Sequence, residues 1–385
     1  MHSAKTQAVE EILLVDDKPA NLRLLNQMLA DRGFIVRAVK SGERALESIR
    51  ATPPDLILLD IKMPGMDGYE VLHRLKQTPD SSDIPVIFIS ALDDIQNKVR
   101  GFNMGCVDYI TKPFQYEEVI ARVETHLTLQ RFQKRLQRAN RRYENELKLA
   151  GSLQANLLPK DVPALPGFQL SFVLRSARET SGDFYDIFPL NSGHFGILVA
   201  DVVDKGAAAA LLMAYGRTLL RTLAEEFPED PDRVLNNVNQ RMLSYTDASH
   251  FLTVFYGILE LEKNELVYSN AGHNPAIHLK AANGEMTLLK NTGMPLGLFD
   301  DQDWQQRKIQ LNPGDLVVMY TDGITDAQNQ QYELYGMERF KETLQANHKQ
   351  PPAELDKLVL EDIDRFQDGA PQPDDIAMVI LKKDE

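Results

Sequence analysis

Glu11-Ile-Leu-Leu-Val-Asp-Asp17 is an apolar run of strand length that stops at two adjacent acids. The same figure returns downstream. Leu56-Ile-Leu-Leu59 runs into Asp60, Val86-Ile-Phe-Ile89 into Ser90, and Tyr109-Ile110 into Lys112-Pro113. Between these runs the apolar spacing becomes helical. Leu22, Leu25 and Leu29 share one face, Ala45, Leu46 and Ile49 another, and Phe34-Ile-Val36 supplies a further strand. Apolar strands alternating with amphipathic helices predict a parallel α/β sheet. Ligand sites in such sheets form at the carboxyl ends of the strands. Asp16, Asp17, Asp60, Ser90 and Lys112 all fall there.

That grouping has a chemistry. Three carboxylates can hold one Mg²⁺ and leave positions for a phosphoryl donor. Asp60 can attack phosphorus as a carboxylate nucleophile. Lys112 and the Ser90 hydroxyl can bind and neutralise the phosphoryl oxygens. Asp60-Ile-Lys-Met-Pro-Gly-Met-Asp-Gly68 adds a rigid Pro and a turn Gly beside the nucleophile. On these motifs, residues 11–125 resemble the receiver domain of two-component response regulators. The resemblance implies a flavodoxin-like α/β domain with a five-stranded parallel sheet and Asp60 as phosphoacceptor. It implies that Asp16, Asp17, Asp60 and the Lys62 backbone carbonyl hold Mg²⁺. It makes Ser90 and Tyr109 the pair that moves on phosphorylation, beside Lys112. The implied phosphodonor is a histidine kinase or phosphotransfer protein. Cys106, the single cysteine, reads as a small buried hydrophobe.

From about Gln115 to Leu158 the only strong breaker is Gly151. Leu129, Phe132, Leu136, Ala139 and Tyr143 step by threes and fours, the spacing of a coiled coil, and Leu147 adds a stutter. About 40 residues at 1.5 Å rise would give roughly 60 Å of helix. Pro159 and Pro163 end it. Residues 126–160 are therefore expected to be a helical, coiled-coil connector that dimerises the chain.

Beyond it the pattern changes. Phe168–Leu174 has period-two character, Phe195-Gly-Ile-Leu-Val-Ala200 ends at Asp201, and Ala207 to Leu220 is an Ala/Leu-rich helix. Three strand-like runs follow, at 251–261, 265–269 and 276–279. Leu316-Val-Val-Met-Tyr320 leads to Asp322, and Asp375 precedes Ile376-Ala-Met-Val-Ile-Leu381. Many strands with grouped helices predict an α+β sandwich. Carboxylates converging from distant segments build two-metal hydrolases, in which acidified water attacks phosphorus.

Leu157-Leu-Pro159, Gly182-Asp-Phe-Tyr-Asp186, Ala200-Asp-Val202 with Lys205-Gly206, Ala271-Gly-His-Asn-Pro275, Pro295-Leu-Gly-Leu298, Tyr320-Thr-Asp-Gly323 and Asp374-Asp375 occur in that order. By them, residues from about 150 to 383 resemble the SpoIIE/RsbU-type branch of the metal-dependent (PPM, or 2C-type) serine/threonine phosphatases, with the phosphatase domain itself expected at 161–383. The resemblance implies a β-sandwich flanked by helices and two Mn²⁺ or Mg²⁺ ions. Asp201 would bridge the ions, and Val202 would offer its backbone carbonyl. Asp322 and Asp374 would complete one metal, and Asp183 would hold the waters of the other. These four acids form the implied catalytic set. The implied substrate is a phosphorylated, STAS-type anti-sigma-factor antagonist in a partner-switching pathway. Ser181 stands where the family has Gly, Val203-Asp204 where Ser-Gly is commoner, and Ala377 where Thr is usual. The leaving alkoxide has no assigned proton donor, because Val203 stands where eukaryotic relatives have His. The alternative from another class is a receiver-controlled binding regulator without catalysis.

Composition sets the bounds. The 385 residues carry a net charge of −14, which suits two domains and argues against general nucleic-acid binding. One cysteine excludes an intrachain disulfide framework and fits a reducing cytoplasm. Met1–Gln7 lacks the apolar core of a secretory signal, and no apolar run nears the roughly 20 residues of a membrane helix. The expectation is a cytoplasmic protein.

Overall fold

The computed structural model describes residues 9–91, 95–161, 163–190, 193–245 and 250–385. The N-terminal stretch read for a secretory signal lies outside them. The chain divides into two compact units, Met1–Arg141 and Arg142–Glu385.

In the first unit β1 (Glu11–Val15), β2 (Ile35–Val39), β3 (Leu56–Asp60), β4 (Val86–Ala91) and β5 (Asp108–Lys112) form one parallel sheet in the order β2-β1-β3-β4-β5. Its helices are α1 (Pro19–Asp31), α2 (Gly42–Ala51), α3 (Gly68–Lys76), α4 (Ile95–Asn103) and the start of α5 (Tyr116–Ala155). Alternate side chains explain the unbroken apolar runs. Leu13, Val15, Ile57 and Leu59 face α2 and α3, while Ile12, Leu14, Leu56 and Leu58 face α1 and α5. A strand buried on both faces reads as a solid apolar block. Asp67 caps α3, accepting from the Glu70 amide at 2.8 Å.

In the second unit two antiparallel five-stranded sheets stack. One has the order β13-β10-β9-β8-β7, the other β12-β11-β14-β15-β6. The strands that matter below are β6 (Phe168–Arg175), β7 (Phe184–Pro189), β8 (His194–Val202), β9 (Leu252–Glu260), β14 (Leu316–Tyr320) and β15 (Ile376–Lys383). Ile187, Val199, Phe255, Val317, Met319 and Val379 fill the space between the sheets. The outer face of the first sheet packs Phe188, Leu198 and Ala200 under α6 (Ala207–Glu226) and α7 (Pro231–Tyr245). The outer face of the second packs Val318, Tyr320 and Ile380 under α8 (Gly336–Asn347) and α9 (Pro352–Gln367). The result is the expected sandwich flanked by helices. Asp186, from the first acidic motif, is a structural tie. It is buried in β7 and ion-paired with Arg217 at 2.9 Å and Arg221 at 3.5 Å on α6.

Helix α5 runs unbroken for 40 residues, from one unit into the other. Its stepped residues Leu129, Phe132, Leu136 and Tyr143 are 57–65 % exposed, so a single chain leaves the stripe uncovered. Gly151 does not break the helix. A Cβ there would collide with the Glu179 carbonyl, so this glycine lets the helix lie against the 179–181 backbone.

Candidate functional sites

In the first unit, parallel register creates the site. Val15 pairs with Leu59, so Asp16 and Asp60 emerge side by side. Oxygens of Asp16, Asp17 and Asp60 lie within 4.8 Å of one another. The Lys112 ammonium reaches in from the end of β5, 2.9 Å from Asp60 Oδ2 and 3.1 Å from Asp16 Oδ2. Asp16 is fully buried and also accepts from the Lys18 amide and Asn21 Nδ2, each at 2.8 Å. Burial pushes the Asp60 carboxyl up, and Lys112 opposes it; the Lys62 amide hydrogen-bonds the same carboxylate. Asp17 Oδ1 and Ser90 Oγ are buried without a hydrogen-bond partner. Carboxylates with an unanswered oxygen suit a hard cation, and an unanswered hydroxyl near Lys112 suits a phosphoryl oxygen. Tyr109 is elsewhere. Its ring packs inward between Phe88 and Phe102, with its hydroxyl against Gly101. Burial and Cys106 raise its pKa. Cys106 is itself buried in this core.

In the second unit each sheet supplies one pair of acids at the same end. Phe184 lies opposite Ala200, which puts Asp183 beside Asp201. Tyr320 lies opposite Met378, which puts Asp322 beside the Asp374-Asp375 turn. Asp183 is buried, hydrogen-bonded to Asp201 and Thr321, and its Oδ2 has no hydrogen-bond partner. Burial and then Asp201 raise its carboxyl well above the usual range. Burial and the fields of Asp322, Asp374 and Asp375 push Asp201 up to about 7. Burial, Asp326 and Asp374 raise Asp322, against Lys205. Crowded, desolvated acids with an orphaned oxygen are what a pair of divalent ions would answer, so the residues fit the expected metals. The grouping is looser than in the first unit. Among the described residues only Asp16, Asp17 and Asp60 form a triplet within 4.8 Å.

Around these acids the backbone is tightly specified. Asp375 accepts from the Ala177 amide at 2.7 Å and the Gly182 amide at 2.8 Å, so it shapes the loop that delivers Asp183. Gly323 must be glycine, because a Cβ would collide with the Asp375 carbonyl. Thr321 Oγ1 accepts from the Ala377 amide at 2.8 Å, while the Ala377 side chain packs between the sheets. His273 is buried and neutral, its pKa lowered to about 4 by burial, with Nδ1 2.9 Å from the Thr253 hydroxyl.

Gln154 is a functional candidate that sequence reasoning missed. Near the end of α5, its amide is buried and paired twice with Ser181. Nε2 donates to the Ser181 carbonyl at 2.5 Å, and Oε1 accepts from the Ser181 amide at 3.0 Å. The helix is thus bonded to the chain two residues before Asp183. No local sequence signal marked it, because Ser152 and Asn156 beside it are polar too.

Comparison with known proteins agrees with this division. The family model described as stage II sporulation protein E (SpoIIE) matches residues 191–384, and the response regulator receiver domain model matches 12–124. The chain is 31 % identical over 263 residues to protein IcfG of Synechocystis sp., covering 61 % of this chain and 41 % of that one. It is 27 % identical over 245 residues to the phosphoserine phosphatase RsbU of Bacillus subtilis, covering 62 % and 70 %. The chain therefore spans less than half of the first relative's length. The SiaA-PP2C domain of Pseudomonas aeruginosa shares the fold, with a TM-score of 0.58 at 22 % identity, over 64 % of this chain and 99 % of that domain.

Proposed function

We propose that this chain, which belongs to the stage II sporulation protein E family and carries a response regulator receiver domain, is a metal-dependent protein serine/threonine phosphatase governed by receiver phosphorylation. The observation that carries the reading is the Asp183–Asp201 pair with Asp322 and Asp374 at its side, where burial and then the neighbouring acids push Asp201 up to about 7. Divalent metal bound there acidifies water and stabilises the charge that builds on the phosphoryl oxygens. The protein's own part is positional. Asp201 would serve both metals, with the Val202 carbonyl beside it. Asp322 and Asp374 would help hold one, and Asp183 would hold the other through water. Asp375 and Thr321 keep Asp183 and the Asp322 turn in place. Either Mn²⁺ or Mg²⁺ suits oxygen ligands of this kind.

In the receiver, Asp60 accepts the phosphoryl group from a histidine kinase or phosphotransfer protein. Asp16, Asp17, Asp60 and the Lys62 carbonyl would hold Mg²⁺. Lys112 and Ser90 take the phosphoryl oxygens, and Ser90 and Tyr109 rearrange. The connector, residues 126–160, carries the change, and the uncovered stripe on α5 supports a homodimer. Gln154 supports coupling to the catalytic unit because it ties α5 to the Asp183 loop. The substrate is a phosphoserine or phosphothreonine on a STAS-type anti-sigma-factor antagonist, and the site of action is the cytoplasm. RsbU, named as a phosphoserine phosphatase, supports the residue class. The test is Mn²⁺-dependent phosphate release from a phosphoserine peptide and from candidate phosphorylated antagonists. Loss of release in Asp201→Ala is the expected result. Equal biological output from native and Asp201→Ala protein would favour a non-catalytic binding regulator.

A further inference from the structure

At the open edge of the second site a cation faces the acids. Lys205 Nζ lies 2.9 Å from Asp374 Oδ2 and 3.2 Å from the Pro373 carbonyl oxygen. Both side chains of the ion pair are 43 % exposed, whereas Asp183 is 3 % exposed. The backbone sets Lys205 there. Asp204 adopts a φ of 91° and Gly206 one of 79°, and Asp204 Oδ1 accepts from the Lys205 amide at 2.8 Å. This turn joins the end of β8, which bears Asp201, to the start of α6.

We infer that Lys205 is a tethered competitor for divalent metal on the Asp322–Asp374 side of the site. The inference rests on the metal-phosphatase reading above. An ammonium 2.9 Å from Asp374 Oδ2 occupies the ground that a metal ligated by that oxygen needs, and two cations at such separation repel strongly. The flexible four-carbon stem lets the ammonium withdraw when a dication arrives. The Asp183–Asp201 side meets no such rival among the described residues. It fills at lower metal concentration, and the Asp322–Asp374 side fills second, against Lys205.

The test is calorimetric and EPR titration of the full chain with Mn²⁺, its receiver cluster silenced by Asp17→Asn. Two affinity classes are expected in the otherwise native protein. Lys205→Met should tighten the weaker class by on the order of fivefold, the scale of one exposed ion pair, and leave the tighter class in place. Lys205→Arg, which keeps the charge, should preserve the native spacing, and Asp374→Asn should remove the weaker class. Lys205→Gln repeats the measurement if the Met variant does not fold. An unchanged weaker class in the uncharged variants, or a single class in the native protein, overturns the inference while leaving the metal site standing. No Mn²⁺ bound at all overturns the phosphatase reading and the inference with it.

Discussion

The receiver unit crowds Asp16, Asp17 and Asp60 within 4.8 Å of one another and answers them from inside the chain, with Lys112 touching two of the three. The second unit leaves Asp183 and Asp201 buried together with no cation beside them among the described residues, and keeps Lys205 at the exposed edge. In the first unit the protein itself neutralises much of the charge, and Asp17 Oδ1 and Ser90 Oγ are left buried without a hydrogen-bond partner. In the second the cost of burying like charges is left standing: burial and neighbouring acids push Asp201 up to about 7 and raise Asp183 and Asp322. On the proposed reading, the first site would receive a phosphoryl group, while the second would be completed by metal.

The largest effect should come from the second site. Asp201→Asn is expected to lower Mn²⁺-dependent turnover by about three orders of magnitude or more, and to raise the thermal stability of the metal-free protein. The sign follows from linkage. The folded pKa of about 7 lies above the unfolded value near 3.9. The folded state therefore holds this proton more tightly, and the acid's cost grows as pH rises from about 4 to about 7. Thermal scans without metal should show the variant's advantage at pH 8 and little of it at pH 4. An advantage independent of pH would break the contrast.

Lys112→Ala is the matching cut in the receiver. It strands Asp60 and Asp16 without their cation, so urea unfolding should show that unit weakened by about 2 kcal/mol, below the range for a fully buried pair because the lysine is a quarter exposed. Lys205→Met, removing the other unit's cation, should change stability far less. Gln154→Ala tests the link between α5 and the Asp183 loop. It leaves the Ser181 amide and carbonyl without partners, at about 1–2 kcal/mol, and should weaken Mn²⁺ affinity measured by calorimetry. Smallest is Asp204→Gly. A non-glycine residue at φ 91° is strained, and relief should raise stability by about 0.5 kcal/mol in chemical denaturation.

The receiver was legible because β1, β3 and β4 are short, buried on both faces, and run into residues with chemistry. Val15 and Leu59 announce Asp16 and Asp60 without any knowledge of pairing. The phosphatase acids were legible as motifs, but their grouping depends on antiparallel registers such as Phe184 opposite Ala200, which no local pattern encodes. β12 (Met286–Leu289) and β13 (Arg307–Gln310) went unread because edge strands of four residues carry little periodicity. Gln154 went unread because a single glutamine on a polar helix has no local signature; its meaning comes from Ser181, 27 residues away. Asp204 was noticed as a departure from a commoner glycine, and its positive φ gives that departure a physical cost.

The measurement that bears most directly on the central claim is hydrolysis of a phosphoserine peptide by the full chain with Mn²⁺, with and without beryllofluoride, in native and Asp60→Ala protein. The account predicts that beryllofluoride changes kcat/KM by about fivefold or more in the native protein, the scale of allosteric coupling, and leaves Asp60→Ala unmoved. Turnover that is the same in all four conditions would contradict receiver control of the phosphatase.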